Sequence, residues 1–242
     1  MIALFTDFSL AGPYTGQMKA VLYEMAPGVP VIDLFADAPA GNPRASAYLL
    51  AAYSAWFPEN TVFLCVVDPG VGGERPAIIV EADGRFFVGP GNGLFELVLR
   101  RAARAQSFDI AWKPKRLSAS FHGRDLFAPV AAMLARGDPP PGCPRLDDAD
   151  RRPDWPDDLA EIAYVDGYGN AMTGLRAAVL PPGARLNTGG RVLNRARTFS
   201  DLAPGEAFWY ENSNGLAEIA VNSGRADASL GLLIGAAVEV LS

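Results

Sequence analysis

The sequence predicts an α/β protein: an N-terminal α/β sheet domain followed by a smaller all-β, barrel-like C-terminal domain. Three observations carry this. Over the first 140 or so residues, apolar strand-like runs alternate with segments of helical periodicity. From Glu161 onward, short apolar runs are separated by Gly, Asn and Pro turns with little helical period. Between the two, Asp138 to Pro156 is dense in Pro, Asp and Arg and reads as an exposed linker. The expected divisions are residues 1–142, a linker over 143–157, and a C-terminal domain over 158–242.

Ile2–Phe5 is the first expected strand, ending in Thr6-Asp7-Phe8-Ser9. After Gly12-Pro13, Thr15–Met25 places Met18, Val21, Leu22 and Met25 on one helical stripe, and Pro27–Pro30 ends it. Val31–Leu34 is a short second strand. Arg44–Trp56 reads as a helix with Ala45, Leu49, Ala52 and Trp56 along one side. Val62–Val67 is an unbroken apolar run, the pattern of a strand buried on both faces, and Asp68 follows it directly. Pro69 and the glycines at 70, 72 and 73 turn the chain before Arg75. Ala77–Glu81 and Arg85–Val88 form an expected hairpin around Asp83-Gly84. A glycine turn, Gly89 to Gly93, leads into a helix from Leu94 to about Ala105, and Leu126–Ala135 is an apolar helix. In the C-terminal part, strands are expected at Glu161–Val165, Ala207–Glu211, Leu216–Val221 and Ala237–Leu241.

Composition narrows the function classes. Half of the 242 residues are hydrophobic, so a sizeable core is available. No apolar run approaches the roughly 18–20 residues that span a bilayer, and the N-terminus lacks a secretory pattern; a soluble cytoplasmic protein without a membrane partner is expected. A net charge of −6 argues against a general nucleic-acid partner. Two cysteines, Cys65 and Cys143, make no disulfide framework and fall in no metal-ligand spacing, so no metal site is expected. No P-loop and no Gly-x-Ser-x-Gly elbow occurs. The chain has one histidine, so any imidazole chemistry belongs to His122.

Four loops hold the candidate chemistry: Thr6-Asp7-Phe8, Asp68 to Arg75, Pro90 to Gly93, and Phe121 to Asp125. In a parallel sheet, loops after the strands gather along one edge, where open α/β sheets bind ligands. Each residue also has a plainer reading. Asp68 could cap a turn with Arg75 as a surface partner; Asp7 and His122 could cap the elements that follow; Asn92 could be a left-handed turn residue.

Taken together, these motifs acquire a resemblance. Thr6-Asp7-Phe8 with Gly12-Pro13-Tyr14-x-Gly-x-Met-Lys, Val67-Asp68-Pro69-Gly70-Val71-Gly72 with Arg75, Pro90-x-Asn92-Gly93, and Phe121-His122-Gly123-Arg124-Asp125-x-Phe127-Ala128-Pro129 resemble the S-adenosylmethionine hydroxide adenosyltransferases, hydrolases related to fluorinases and chlorinases. The C-terminal segments Asp166 to Asn170, Asn212 to Gly215 and Glu218 to Asn222 resemble that family's later motifs, so the likeness covers nearly the whole chain.

The resemblance implies hydrolysis of S-adenosyl-L-methionine (SAM) to adenosine and methionine by water attack at the ribose C5′, with SAM as substrate and no cofactor. It implies that Asp68, Arg75 and His122 hold and activate the water. An arginine beside Asp68 should hold it as an orienting anion, and His122, with an ordinary pKa near 6.5, should assist proton removal. The implied substrate-binding residues are Asp7 at the ribose hydroxyls, Asp166 and Ser213 at the methionine end, Asn170 on the adenine side, and Asn214, Val221, Asn222 and Ser223 at the base. Tyr14, Asn92, Phe121 and Glu218 complete the implied set. A homotrimer with sites between subunits is implied as well. Ser9 stands where the family usually has Gly, Gly91 where it has Asp, and the loop Phe35-Ala36-Asp37 lacks a frequent His.

Two other readings stay open. A halogenase would use the same fold and substrate, but fluorinases carry Tyr at the position of Asp68, and a carboxylate repels an incoming halide. A nucleoside- or SAM-binding protein with little turnover is the other.

Overall fold

The computed structural model describes residues 1–145 and 151–241, and the chain divides into two compact units, Met1–Pro153 and Asp154–Ser242. The first unit runs β1 (Ile2–Thr6), α1 (Tyr14–Met25), β2 (Val31–Phe35), α2 (Pro43–Ser54), β3 (Val62–Val66), β4 (Ala77–Ala82), β5 (Arg85–Pro90), α3 (Glu96–Arg101) and β6 (Ala105–Ile110). A π-helical turn (Gly123–Phe127), α4 (Ala128–Ala135) and β7 (Gly142–Pro144) complete it. These strands form one sheet in the order β2-β1-β3-β5-β4-β6-β7. The first four are parallel, and β4, β6 and β7 are each antiparallel to their neighbours.

Every residue of β1 and β3 is buried, as their uninterrupted apolar sequences require of strands covered on both faces. Alternation sends Ile2, Leu4, Val62, Leu64 and Val66 into a core with Met18 and Leu22 of α1 and Phe127 to Leu134 of the π-turn and α4. The other face carries a chain of rings: Phe63 stacks on Phe87 at 4.8 Å, and Phe35 meets Phe5 and Tyr53 at 5.0 Å. Gly89 passes so close to β3 that a Cβ there would lie 2.2 Å from the Cys65 carbonyl oxygen. The strands can approach this closely only with glycine.

Several elements depart from expectation. α2 starts where Asn42 accepts a bond from the Ala45 amide (3.0 Å) with Pro43 in the first turn, but it stops at Ser54. Trp56 is therefore off the helix and 70% exposed; Pro58 disfavours helical geometry at Phe57. α3 ends at Arg101, because Asp83 takes the amides of Ala103 and Arg104 (3.1 and 3.0 Å) and turns the chain into β6. The weakly apolar β6 was not expected as a strand; it forms by pairing with β4. Cys143 and Pro144, inside the stretch expected as linker, pair with β6 as part of β7. Arg151 and Arg152, in the same stretch, bind Glu96. Residues 146–150 of that stretch lie outside the described residues.

The second unit contains β8 (Leu159–Val165), β9 (Ala171–Arg176), β10 (Arg185–Thr188), β11 (Arg191–Leu193), β12 (Ala207–Glu211), β13 (Leu216–Val221), a short helix α5 (Ala226–Leu230) and β14 (Glu239–Leu241). Its two antiparallel sheets have the orders β12-β13-β9-β8 and β11-β10-β14. An antiparallel bridge, Glu161 to Ala237, ties β8 to the approach of β14. A parallel bridge, Arg195 to Trp209, ties the chain after β11 to β12. The seven strands thus close into a ring, the expected barrel-like form. Inside it Trp209 is fully buried and its indole N–H donates to the Ala184 carbonyl at 3.1 Å. β9, β10, β11 and α5 were not expected. β9 contains Thr173 and Gly174, and the Thr173 hydroxyl is buried because the Ala217 carbonyl accepts from it at 2.7 Å. Among the described residues, no helix is long and apolar enough to cross a membrane.

Candidate active site

Because β1, β3 and β5 are parallel, their carboxyl ends bring Asp7, Asp68 and Asn92 to one edge of the sheet. A cavity of about 560 Å³ opens there. Its walls include Asp7, Phe8, Tyr14, Asp68, Phe121 and His122.

The sharpest geometry is at Asp68. Arg75 grips its carboxylate with two nitrogens: Nε donates to Oδ1 at 2.9 Å, and Nη2 donates to Oδ2. The Asp68 side chain is 4% exposed and that of Arg75 11%. Arg75 Nη2 also lies 3.0 Å from His122 Nδ1. Guanidinium has no acceptor, so Nδ1 must accept, and the neutral ring then carries its hydrogen on Nε2. Burial and the Arg75 charge together push the His122 pKa below its ordinary value, while Asp68 and Asp125 pull weakly the other way. The expected triad is therefore assembled. The proton-removing role expected of His122 meets an obstacle, because Nδ1 is already occupied.

His122 immediately precedes the π-helical turn, an insertion that occurs often at functional sites. Phe127, from that turn, lies under the Arg75 guanidinium at 5.3 Å from the ring centroid and edges against His122 at 6.4 Å.

Asp7 is partly buried and accepts a bond from the Gly41 amide at 2.8 Å. Burial raises its pKa, and the Asp68 charge adds a little. Phe8, Tyr14 and Phe121 form a mutual aromatic cluster with centroids 5.4 to 5.9 Å apart. Asn92 does not line the cavity. Its amide is spent on the Val67 carbonyl and the Leu94 N–H.

Sequence reasoning passed over Gln17, Ser118 and Ser120, which also line the cavity; Arg124 lines it too, paired with its neighbour Asp125 at 2.6 Å. Gln17 accepts from Arg124 at 2.8 Å. Its position one helical turn from Tyr14 was the available signal.

The remaining candidates lie in the second unit. Asp166 caps a turn: its Oδ1 accepts from the Tyr168 and Asn170 amides, both at 2.9 Å. Asn170 is buried, and its side-chain amide returns to Asp166 at 3.3 Å. Glu218 is buried too, bound by the Tyr210 hydroxyl at 2.6 Å and by Asn212 Nδ2 at 2.8 Å. Its pKa is raised, chiefly by burial. Asn212 Oδ1 in turn accepts from the Asn214 and Leu216 amides, shaping the turn that carries Ser213 and Asn214. Val221 belongs to the barrel core; it pairs with Ala207 of β12, and its carbonyl accepts from the Gly224 amide at 3.1 Å. Asn222 donates to the Leu202 carbonyl at 2.7 Å. Ser223 stands at φ +56°.

The departures at Ser9 and Gly91 differ in kind. Ser9 has φ +62°, where glycine is the easier residue, and its hydroxyl oxygen accepts from the Ala11 amide at 3.1 Å. Gly91 is outside the left-handed region, so a residue with a side chain would fit the backbone there.

Comparison with known proteins gives the family. The family model for the SAM hydroxide adenosyltransferase N-terminal domain matches residues 2–143, and that for the C-terminal domain matches residues 160–239. An (R)-S-adenosyl-L-methionine hydrolase of Thermus thermophilus is 40% identical over 99% of both chains. A solved structure from Thermotoga maritima, described as an uncharacterized conserved protein, superposes with a TM-score of 0.89 at 32% identity over 100% of both chains. A fluorinase of Actinoplanes sp. is more distant, 21% identical over 57% of this chain and 55% of its own length. With both domain models matched in order, and Asp68, Arg75 and His122 brought together, this chain belongs to the SAM hydroxide adenosyltransferase family.

Proposed function

We propose that the protein hydrolyses S-adenosyl-L-methionine to adenosine and L-methionine. The observation that carries the reading is Asp68 gripped by Arg75 at the wall of the cavity, with His122 on the same guanidinium. Water oxygen forms a bond to C5′ as the C5′–S bond breaks. The electron pair of that bond stays on sulfur, which leaves as a neutral thioether and needs no general acid. The water loses one proton. Catalysis therefore requires an oriented water and an acceptor.

Asp68 suits the acceptor role. Arg75 occupies two of its roughly four lone-pair sites, which leaves the others for water. His122 presents an Nε2 hydrogen and acts as a donor that orients the water, in place of the base expected from its ordinary pKa. Asp7, with its raised pKa, suits a ribose hydroxyl pair. The second-unit candidates, Asp166, Asn170, Ser213, Asn214 and Glu218 among them, complete the site in a homotrimer. Light scattering on the purified protein tests that oligomer.

Halide transfer is disfavoured by the same carboxylate, since Asp68 repels an anion where a polarised water fits. One incubation separates the readings: SAM in ¹⁸O-labelled water containing chloride, followed by mass spectrometry. Labelled adenosine with methionine is expected. A 5′-chloro nucleoside, or bound SAM without product, would overturn hydrolysis. Running the (R) and (S) sulfonium forms separately tests whether this chain shares the (R) preference that the Thermus thermophilus hydrolase is named for.

A further inference from the structure

Asn92 stands in the glycine turn after β5, off the cavity, with its carboxamide committed at both ends. Nδ2 donates to the Val67 carbonyl at 2.9 Å, and Oδ1 accepts from the Leu94 N–H at 3.2 Å. A carbonyl can only accept and a backbone N–H can only donate, so these partners define which way the amide faces.

The place of this bond is specific. β3 and β5 pair as parallel strands as far as Leu64 and Val88, and Gly89 then packs against the Cys65 carbonyl. β5 runs on beside β4 to Pro90, and the chain then turns toward α3. The Asn92 side chain reaches back across the gap to β3, in place of a main-chain donor. Its target, the Val67 carbonyl, belongs to the rigid peptide plane that leads into Asp68.

We infer that Asn92 is a positioning residue for Asp68: it fixes the peptide from which that side chain departs toward Arg75, and it does not itself contact substrate. This rests on the reading of Asp68 as the water-holding group.

Two variants separate donor from acceptor. Asn92→Asp keeps an oxygen for the Leu94 N–H but sets an oxygen against the Val67 carbonyl; Asn92→Ala removes both bonds. Asn92→Asp is expected to lower kcat by about ten- to a hundredfold, since small misplacements of reacting groups cost that much. KM for SAM is expected to stay within about twofold, because a residue outside the cavity gives no uniform binding. An unchanged kcat, or a raised KM at constant kcat, overturns the inference.

A second readout needs no turnover. His122 is the only histidine, so its ring C–H resonances report on the Asp68–Arg75–His122 line without assignment. In Asn92→Ala, which adds no charge, displacement of Asp68 takes away a negative charge that raises the His122 pKa, so their titration midpoint is expected to fall further below the ordinary value near 6.5. A midpoint equal to wild type in folded Asn92→Ala overturns the inference. Should that variant fail to fold, Asn92→Ser takes its place in the same titration. If wild type titrates as described but releases no product from SAM, the hydrolysis reading fails and the positioning of Asp68 by Asn92 stands on the titration.

Discussion

Arg75 and His122 meet through a nitrogen that also contacts Asp68: Nη2 of the guanidinium lies 3.0 Å from Nδ1 of the imidazole. One planar fork thereby sets both a carboxylate and a ring tautomer. Lysine offers a point charge and cannot reproduce two fixed directions. Arg75→Lys is expected to lower kcat on SAM by about a hundredfold, the cost of a misplaced reacting group. Steady-state kinetics check this, and an unchanged kcat would mean that charge alone suffices.

The His122 pKa is lowered by burial and by Arg75. The unfolded chain therefore binds the His122 proton more readily than the folded one. The contribution of neutral His122 to stability is present above the ordinary value near 6.5 and is lost as the pH falls through and below it. An NMR titration of this single histidine should give a midpoint below that of a free imidazole. Arg75→Gln, which removes the neighbouring positive charge, should raise it.

Glu96 predicts acid sensitivity elsewhere. Its side chain is 1% exposed and binds Arg100, Arg151 and the Arg152 amide; these bonds overcome the cost of burial and hold its pKa at about 2. A depressed carboxyl stabilises the fold above its unfolded pKa, and that stability is lost as pH falls toward about 2. The shift corresponds to about 3 kcal/mol. Glu96→Gln should lose about 2–3 kcal/mol in urea unfolding at pH 7. The difference from wild type should narrow at pH 3. Equal unfolding curves at pH 7 would remove Glu96 as an anchor of residues 151 and 152.

At Gly89 the added methyl of Gly89→Ala would meet the Cys65 carbonyl oxygen at 2.2 Å and Phe95 at 3.1 Å. β5 must move away from β3, so a loss of more than about 2 kcal/mol is expected, the range of overpacked cores. Thermal unfolding checks it. Turnover should fall as well, since the displaced strand carries Asn92 away from Val67.

What the sequence made legible follows from where the physics is local. β1 and β3 are unbroken apolar runs, and Asp7 and Asp68 fall directly after them, so the edge that carries the site could be read before any coordinates. Asp68, Arg75 and His122 were recognisable only as motifs; their meeting joins residues 47 apart along the chain. β6 stayed hidden because Gln106, Ser107 and Asp109 give it little hydrophobic signal, and β4 supplies the pairing that makes it a strand. β10 and β11 are short and depend on closure of the ring. The tautomer of His122 was also out of reach, since it depends on which nitrogen Arg75 approaches.

The ring of strands in the second unit bears on how the fold guards its sheet borders. Among the described residues, the bridges Glu161–Ala237 and Arg195–Trp209 tie the borders of the two sheets together, which shortens the row of unpaired backbone groups that could recruit a neighbouring chain. The sheet of the first unit is open and ends at β2 and β7. Both ends are poor templates. β2 carries Asp33 at its middle, ion-paired to Lys19 at 2.6 Å. β7 is three residues long, ends on Pro144 and follows Pro140 and Pro141. A charge and a cluster of prolines guard the two borders at which crowding would otherwise turn the sheet into a seed.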